Sequence, residues 1–488
     1  MTKFEYPTPD GTTLLIGGKW TGSKSTTKRF DPADLSIETG VFADGDASHV
    51  DAAYAAAATA APGWARMSMV DRAGILLQAA TILESRAESC AQRLTADIGK
   101  AIRDARGEVM RSATTLRYYA AEISQPIGNT YQSSSDDTLL FTVEEPVGVV
   151  CMITPWNFPF AIPAFKVSPA LAYGNTVVWK PAEAASGSAV LLAEIFQEAG
   201  LPPGVLNVVT GDGVALSESL TSDPRLDALT FTGSNPVGRL LRRAVSGRNV
   251  KVQLELGGKN PAIVLADANI ADAATQITRG AMFATGQRCT ATSRVYVQRD
   301  VIGDFCDGLV DSVNALKVGD PFDDATDVGP LASTQQRSTV LEYLKIAALE
   351  KATFLAGDSL AEPRDNDCFV APAVLTDVPA DSRVVREEIF GPVAVVAPFS
   401  SYEDAIAAAN SSPYGLSAAV FTSKISTAMD FVRRSESGLV HINRETAGIE
   451  PHVPFGGTKD SGSMSQELGK AAREFFTKCK TVYLRSVN

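Results

Sequence analysis

From about Val50 to Tyr119, apolar residues recur three and four positions apart, as in Ile75, Leu76, Ala79, Ile82 and Leu83. That spacing places one apolar stripe along a helix, so the region predicts helices packed on a core. An Ala-rich run, Asp51 to Ala61, opens it, and Pro62-Gly63 predicts a helix break directly afterwards. After a Ser/Asp turn at 133–137, Thr138-Leu139-Leu140-Phe141-Thr142-Val143 is β-branched and apolar and predicts a short strand. A regular alternation then runs from Pro146 to Leu265. Val147–Ile153, Thr176–Trp179, Val205–Val209 and Ala228–Phe231 are near-continuous apolar runs, separated by helical patterns at Ile162–Ala172 and Ser188–Ala199. Such runs predict parallel strands covered on both faces by crossover helices. The pattern resumes after Asn269, with strands expected near Arg294–Val297, Val393–Pro398 and Ser417–Phe421. Two doubly wound, open-sheet α/β domains are therefore expected.

Length and composition narrow the options. The chain has 488 residues, and at roughly 100–200 residues per domain this predicts two to four domains with large cores. A formal charge of −12, with no long Lys/Arg run, makes nucleic acid and acidic membrane surfaces poor partners. The first residues, Met1-Thr2-Lys3-Phe4-Glu5-Tyr6-Pro7, hold no signal-peptide core, and no segment approaches the ~18 apolar residues of a membrane helix. A cytoplasmic location is the expectation. The six cysteines, Cys90, Cys151, Cys289, Cys306, Cys368 and Cys479, form no CxxC pair, and His49, His441 and His452 form no HExxH. Neither a disulfide framework nor a metal site is expected.

An open α/β sheet suggests a nucleotide, yet GxGxxG and GxxxxGK[ST] are both absent, as is the GxSxG nucleophile elbow. Four other segments place a reactive or directional polar group beside glycine or proline at the end of an expected strand. They are Thr154-Pro155-Trp156-Asn157-Phe158-Pro159, Phe231-Thr232-Gly233-Ser234, Leu254-Glu255-Leu256-Gly257-Gly258-Lys259 and Gly286-Gln287-Arg288-Cys289-Thr290. Ligands of open α/β sheets gather at the carboxyl ends of strands, so these segments are expected there. A thiolate is nucleophilic near neutral pH in a way that serine is not, which makes Cys289 a candidate nucleophile.

Together with Trp179-Lys180-Pro181-Ala182-Glu183, Glu387-Glu388-Ile389-Phe390-Gly391-Pro392 and Pro454-Phe455-Gly456-Gly457, these segments resemble the NAD(P)-dependent aldehyde dehydrogenase superfamily, in its order and over nearly the whole chain. The resemblance implies thioester chemistry on Cys289, with Asn157 as oxyanion donor and Glu255 as general base for hydrolysis. Family members that transfer the acyl group to coenzyme A characteristically lack that glutamate, so release of a free acid is favoured over coenzyme A acylation or simple thiol esterase action. Lys166 and Glu467 also match family positions near the catalytic tunnel, and for Lys166 a helix-packing role fits as well as a proton-handling one.

On the cofactor side, the resemblance implies contacts from Lys180 and Glu183 to the adenosine ribose, from Ser234 to the pyrophosphate, and from Glu388 to the nicotinamide ribose, with Phe390 beside the nicotinamide. Ile153, Trp156, Gly213, Phe231, Gly233 and Leu256 complete that site. A carboxylate at Glu183 accepts bonds from both ribose hydroxyls and repels a 2′-phosphate, which favours NAD while leaving NADP use open. The aldehyde pocket is expected at Phe158, Phe283, Arg288, Thr290 and Phe455, with Arg288, Arg444 and His452 as candidate anchors for a distal carboxylate.

The run from Ile442 to Gly457 is similar to the α-ketoglutarate semialdehyde (2,5-dioxovalerate) dehydrogenase branch. Succinate semialdehyde, other ω-oxo acids, sugar-derived aldehydes and aromatic aldehydes stay open as substrates. The implied organisation is a dinucleotide-binding domain over 1–127 and 147–256, a catalytic domain over 257–470, and a small β oligomerisation arm over 128–146 and 471–488. Leu139–Val143 and the piece from Lys480 to Leu484 match the arm through which family members pair, so a dimer or dimer of dimers is expected.

Overall fold

The computed structural model describes residues 10–357 and 366–486. Two seven-stranded sheets form the body. In the first, the spatial order is Lys251–Glu255, Ala228–Thr232, Val149–Thr154, Thr176–Pro181, Leu206–Val208, then the hairpin Leu14–Ile16 and Lys19–Thr21. The first five strands are parallel and the hairpin closes one edge antiparallel. Strand order reverses beside Val149–Thr154. The chain proceeds outward through 176–181 and 206–208, then returns to lay 228–232 on the other side. Such a reversal opens a crevice at the carboxyl ends, where Thr154-Pro155-Trp156 and Thr232-Gly233-Ser234 emerge.

Alternation along these strands explains the two-sided burial. Val150, Met152, Val177 and Trp179 enter one apolar cluster, while Val149, Cys151, Val178 and Phe231 enter another on the opposite face. Side chains two residues apart share a face, so each strand must be apolar throughout. The second sheet obeys the same rule in the order Thr353–Ala356, Ala373–Thr376, Val393–Phe399, Thr292–Gln298, Asn260–Val264, Ser417–Phe421, Leu439–Ile442. Here Ala262 and Val264 face one cluster and Ile263 the other.

The helical region holds Ala47–Arg66, Met69–Ser85, Ala87–Ile98 and Ile102–Glu122. The break expected at Pro62-Gly63 does not occur, because Pro62 lies inside the first of these helices. Both residues are exposed near its end, and the last turn is held by Trp64, whose buried indole N–H donates to the Leu171 carbonyl at 3.2 Å. One missing helical hydrogen bond is tolerated where tertiary packing fixes the turn. The amino-terminal strands, Thr26–Asp31 and Asp34–Ala43 among them, were not expected from the sequence. Their alternating charged and threonine residues give little apolar signal.

The expected arm strands pair with each other within the chain. Thr477–Arg485 runs antiparallel to Thr138–Pro146 over nine registered pairs, and Thr130–Tyr131 completes a three-stranded sheet. Among the described residues, no helix is long and apolar enough to cross a membrane.

Candidate active site

Cys289 sits in a clamped loop that leads into the amino end of strand Thr292–Gln298, not at a carboxyl end as the sequence suggested. Helix Ile270–Met282 runs into a tight turn, Phe283–Gly286, in which Ala284, Thr285 and Gly286 all take left-handed backbone angles (φ 53°, 58° and 64°). For the two non-glycine residues this costs on the order of 1 kcal/mol each, and the surroundings must impose it. Thr285 Oγ1 donates to the Gly329 carbonyl at 3.1 Å, and Gln287 Oε1 accepts the Ala332 N–H at 2.9 Å. Asn260 Nδ2 donates to the carbonyls of Cys289 (2.9 Å) and Ala291 (2.8 Å). A Cβ on Gly286 would lie 2.1 Å from the Gly391 carbonyl oxygen, so only glycine fits.

Cys289 is half-buried, and its thiol is pushed up to about 12 by burial, then by the charges of Glu388, Glu255 and Glu467. The charges of three carboxyl groups therefore act on the sulfur. Asn157 reaches the same loop from the end of strand Val149–Thr154. Its buried amide donates to the Gln287 carbonyl at 3.0 Å, two residues before the thiol. Sequence reasoning missed what holds it there. The buried Lys100 ammonium donates to the Asn157 carbonyl at 2.7 Å and pairs with Glu108, whose Oε1 accepts the Phe160 and Ala161 N–H groups at 2.9 and 3.1 Å. No local pattern links residues 57 positions apart.

Glu255 ends strand Lys251–Glu255, and its Oε2 is buried without a hydrogen-bond partner. Burial raises its carboxyl well above the usual carboxylate range and the Glu467 charge adds to this, while Lys166 and the Gly457 N–H oppose it. Lys166, fully buried in helix Ala161–Ala172, pairs with Glu467 and donates to Thr230 Oγ1 at 2.7 Å. Thr230 donates onward to Gln253 Oε1 at 2.8 Å. Glu467 and Phe455 exchange backbone hydrogen bonds of 2.6 and 2.7 Å, so the loop bearing Phe455 also carries Glu467 to Glu255.

At the first sheet's crevice the other expected residues assemble. Lys180 Nζ donates to Glu183 Oε1 at 2.6 Å, and the Gly213 N–H donates to the same oxygen at 2.8 Å. Burial works against that carboxylate, but Lys180 and the Gly213 N–H hold it below its ordinary range. Ser234 caps helix Asn235–Val245 at its amino end, exposed, with its hydroxyl making no capping bond. Unpaired N–H groups there favour an anion. Ile153, Phe231 and Leu256 share one apolar cluster, and the Phe231 ring leaves room only for glycine at 233. Trp156 and Phe390 meet edge to face with centroids 5.4 Å apart, and Phe390 takes φ 58°, its carbonyl held by Gln336 Nε2 at 2.9 Å. Glu388 Oε1 accepts the Gly258 N–H at 2.9 Å, and burial pushes its carboxyl up to about 7.

The expected aldehyde-pocket residues divide. The Phe158 ring lies 3.7 Å beneath the Lys100 ammonium, Phe455 is buried, and Thr290 is buried with its carbonyl accepting Thr446 Oγ1 at 2.7 Å. Phe283 faces two guanidinium groups, Arg103 and Arg279. Arg288 is largely buried; Nη1 reaches Glu445 at 3.4 Å and Nε has no partner. Arg444 and His452 are exposed instead, the guanidinium lying against Gly448 and the imidazole beside Tyr118. They are not brought into the buried cluster.

The aldehyde dehydrogenase family model matches residues 20–482. The chain is 40% identical over 475 residues to an alpha-ketoglutaric semialdehyde dehydrogenase of Bacillus subtilis, covering 96% of this chain and 97% of the relative. An alpha-ketoglutarate semialdehyde dehydrogenase of Haloferax volcanii is 41% identical over 473 residues, covering 96% and 98%. Among solved structures, an NAD-dependent aldehyde dehydrogenase from Sinorhizobium meliloti superposes with TM-score 0.95 at 36% identity, covering 98% of this chain and 95% of that one. An NAD+ complex of aldehyde dehydrogenase from Bacillus cereus gives TM-score 0.94 at 36% identity, covering 98% and 97%. With the thiol, the amide and the buried carboxyl in one cleft, and similarity spanning almost its full length, this chain belongs to the aldehyde dehydrogenase family.

Proposed function

We propose that this protein oxidises a semialdehyde with a distal carboxylate, 2,5-dioxovalerate in particular, to the carboxylic acid with NAD as oxidant. The observation that carries the reading is Glu255 Oε2, buried and unpartnered, in the same cleft as the thiol of Cys289 and the amide of Asn157. An orphaned carboxylate oxygen is costly unless it has work to do on a ligand or water.

Cys289 sulfur adds to the aldehyde carbon, and the thiol proton passes to a carboxylate base. Asn157 turns an amide N–H toward the developing oxyanion; losing such a donor costs about 10²–10³ in rate. NAD, when bound, supplies the acceptor that takes hydride from this adduct and leaves a thioester on Cys289. Glu255 then removes a proton from water as it attacks the thioester carbon; the carbon–sulfur bond breaks, which returns the Cys289 thiolate and releases the free acid.

The residues present fit the dinucleotide. Glu183, held ionised by Lys180 and Gly213, offers its remaining acceptor capacity to ribose hydroxyls and opposes a 2′-phosphate. Ser234 and the helix amino end behind it suit the pyrophosphate, and Glu388 suits the second ribose. This supports 1–127 with 147–256 as the dinucleotide-binding domain and 257–470 as the catalytic domain.

Arg288 is the better carboxylate anchor, because its buried Nε lacks a partner whereas Arg444 is exposed. The names of the Bacillus and Haloferax relatives support the same substrate. An arm of 128–146 and 471–488 exposes Tyr483 (73%) and Leu484 (56%), which supports a dimer or dimer of dimers that covers them. Six free cysteines suit a reducing cytoplasm.

The decisive experiment is Cys289→Ala, which abolishes NADH formation while calorimetry still detects NAD binding; retained turnover overturns the mechanism. An aldehyde panel with and without a terminal carboxylate, assayed with NAD and NADP, tests the substrate. Equal kcat/KM for both classes overturns the anchor.

A further inference from the structure

Lys259 is unused by this mechanism and unusual in its setting. It follows Gly258 in the loop between strands Lys251–Glu255 and Asn260–Val264, its side chain is almost fully buried, and its Nζ has no hydrogen-bond partner. A buried ammonium without hydrogen bonds is retained only if nearby charge stabilises it. The groups facing it are Glu388 and Glu387, which attract, and Arg294, which repels and whose Nε donates to the Lys259 carbonyl at 2.9 Å. Glu388 is itself fixed next door, its Oε1 on the Gly258 N–H at 2.9 Å. The charged and titratable groups near Glu388 are Lys259, the Cys289 thiol and Tyr414.

We infer that Lys259 is a positioning residue that keeps the Glu388 carboxyl ionised, and thereby sets the pH range over which the nicotinamide half of the cofactor is held. This rests on the reading above that Glu388 accepts hydrogen bonds from a cofactor ribose. An ionised carboxyl accepts two such bonds, whereas a protonated one must donate from one oxygen. Burial pushes Glu388 up to about 7 and Lys259 down to about 7; on Glu388 the Gly258 N–H and then the Lys259 charge oppose burial, and on Lys259 the Glu388 charge is the first to do so.

The test is calorimetric affinity for NAD and for AMP across pH, without turnover. AMP engages only the adenosine side and reports folding. In the native protein NAD affinity, but not AMP affinity, falls as pH drops through about 7, because Glu388 gains a proton there. Lys259→Met moves that fall upward by about one pH unit, so NAD binds about threefold weaker at about pH 7.5 and recovers at about pH 9.5. Lys259→Arg, with a permanent cation, moves it downward. In a Glu388→Gln background neither substitution has any effect on the profile.

Unmoved profiles in both Lys259 variants overturn the inference, as does a loss of AMP binding in both, which makes Lys259 a folding residue. If Glu388→Gln leaves NAD affinity unchanged, the ribose reading of Glu388 fails instead. The two failures are distinguishable.

Discussion

Glu183 and Glu255 are the same residue type in one crevice-bearing sheet, yet the structure drives their carboxyl groups in opposite directions. Glu183 lies just beyond strand Thr176–Pro181 and shares one oxygen between the Lys180 ammonium and the Gly213 N–H. Glu255, three strands away across the sheet, is buried beside a second carboxyl, with its nearest cation already paired to Glu467. The first carboxyl is held charged; the second is pushed toward its protonated form. A lone cation within hydrogen-bonding distance outweighs partial burial, whereas full burial plus a like charge outweighs a cation that another group holds.

Glu255→Gln separates the two carboxyl groups most strongly. It should lower kcat by about 10²–10⁴ and, if the carboxyl acts after the oxidation, leave a stoichiometric burst of NADH with a thioester trapped on Cys289. Mass spectrometry of quenched enzyme checks this; full turnover would reduce Glu255 to a packing residue. In the native enzyme the ionised form is required, so activity falls on acidification at a pH well above the ordinary carboxylate range.

Lys166→Met probes the shared cation. Removing it takes away the one charge that lowers Glu255, so the acid limb of kcat moves to higher pH by about one unit or more. It also strands the buried Glu467, which destabilises by about 3–5 kcal/mol, read as a lower denaturant midpoint. A stability loss without movement of the pH limb would make Lys166 purely structural.

Glu183→Gln is the mildest of the three. It should weaken NAD about tenfold through loss of charge-assisted bonds, narrow the preference over NADP, and leave kcat at saturating cofactor unchanged. An effect on kcat would mean that the two carboxyl groups are not as separate as their settings imply.

Much of this was legible in the chain because its signals are local. Two-sided burial makes strands such as Val149–Thr154 and Thr176–Pro181 apolar throughout, and glycine is required where Phe231 crowds position 233 or Gly391 crowds 286. Misreadings came where tertiary contacts overrode local preference. Pro62 stays inside its helix because Trp64 anchors the turn, and the Cys289 loop enters a strand at its amino end, held in left-handed backbone by partners from distant segments. Lys100 and Asn260 escaped notice because each acts on a residue far from it along the chain.

The family, the two largely parallel sheets, and the thiol, amide and carboxylates proposed as the site were legible along the chain, since periodicity and short glycine-flanked motifs carry that information. Folding alone set the directions in which burial and charge push those carboxyl groups, the pairing of Lys166 with Glu467, the exposure of Arg444 and His452 beside a largely buried Arg288, and the closure of the arm strands on one another. Those are sums of burial and charge over residues that are hundreds of positions apart, as Lys166 and Glu467 are, and such sums exist only once the chain has folded.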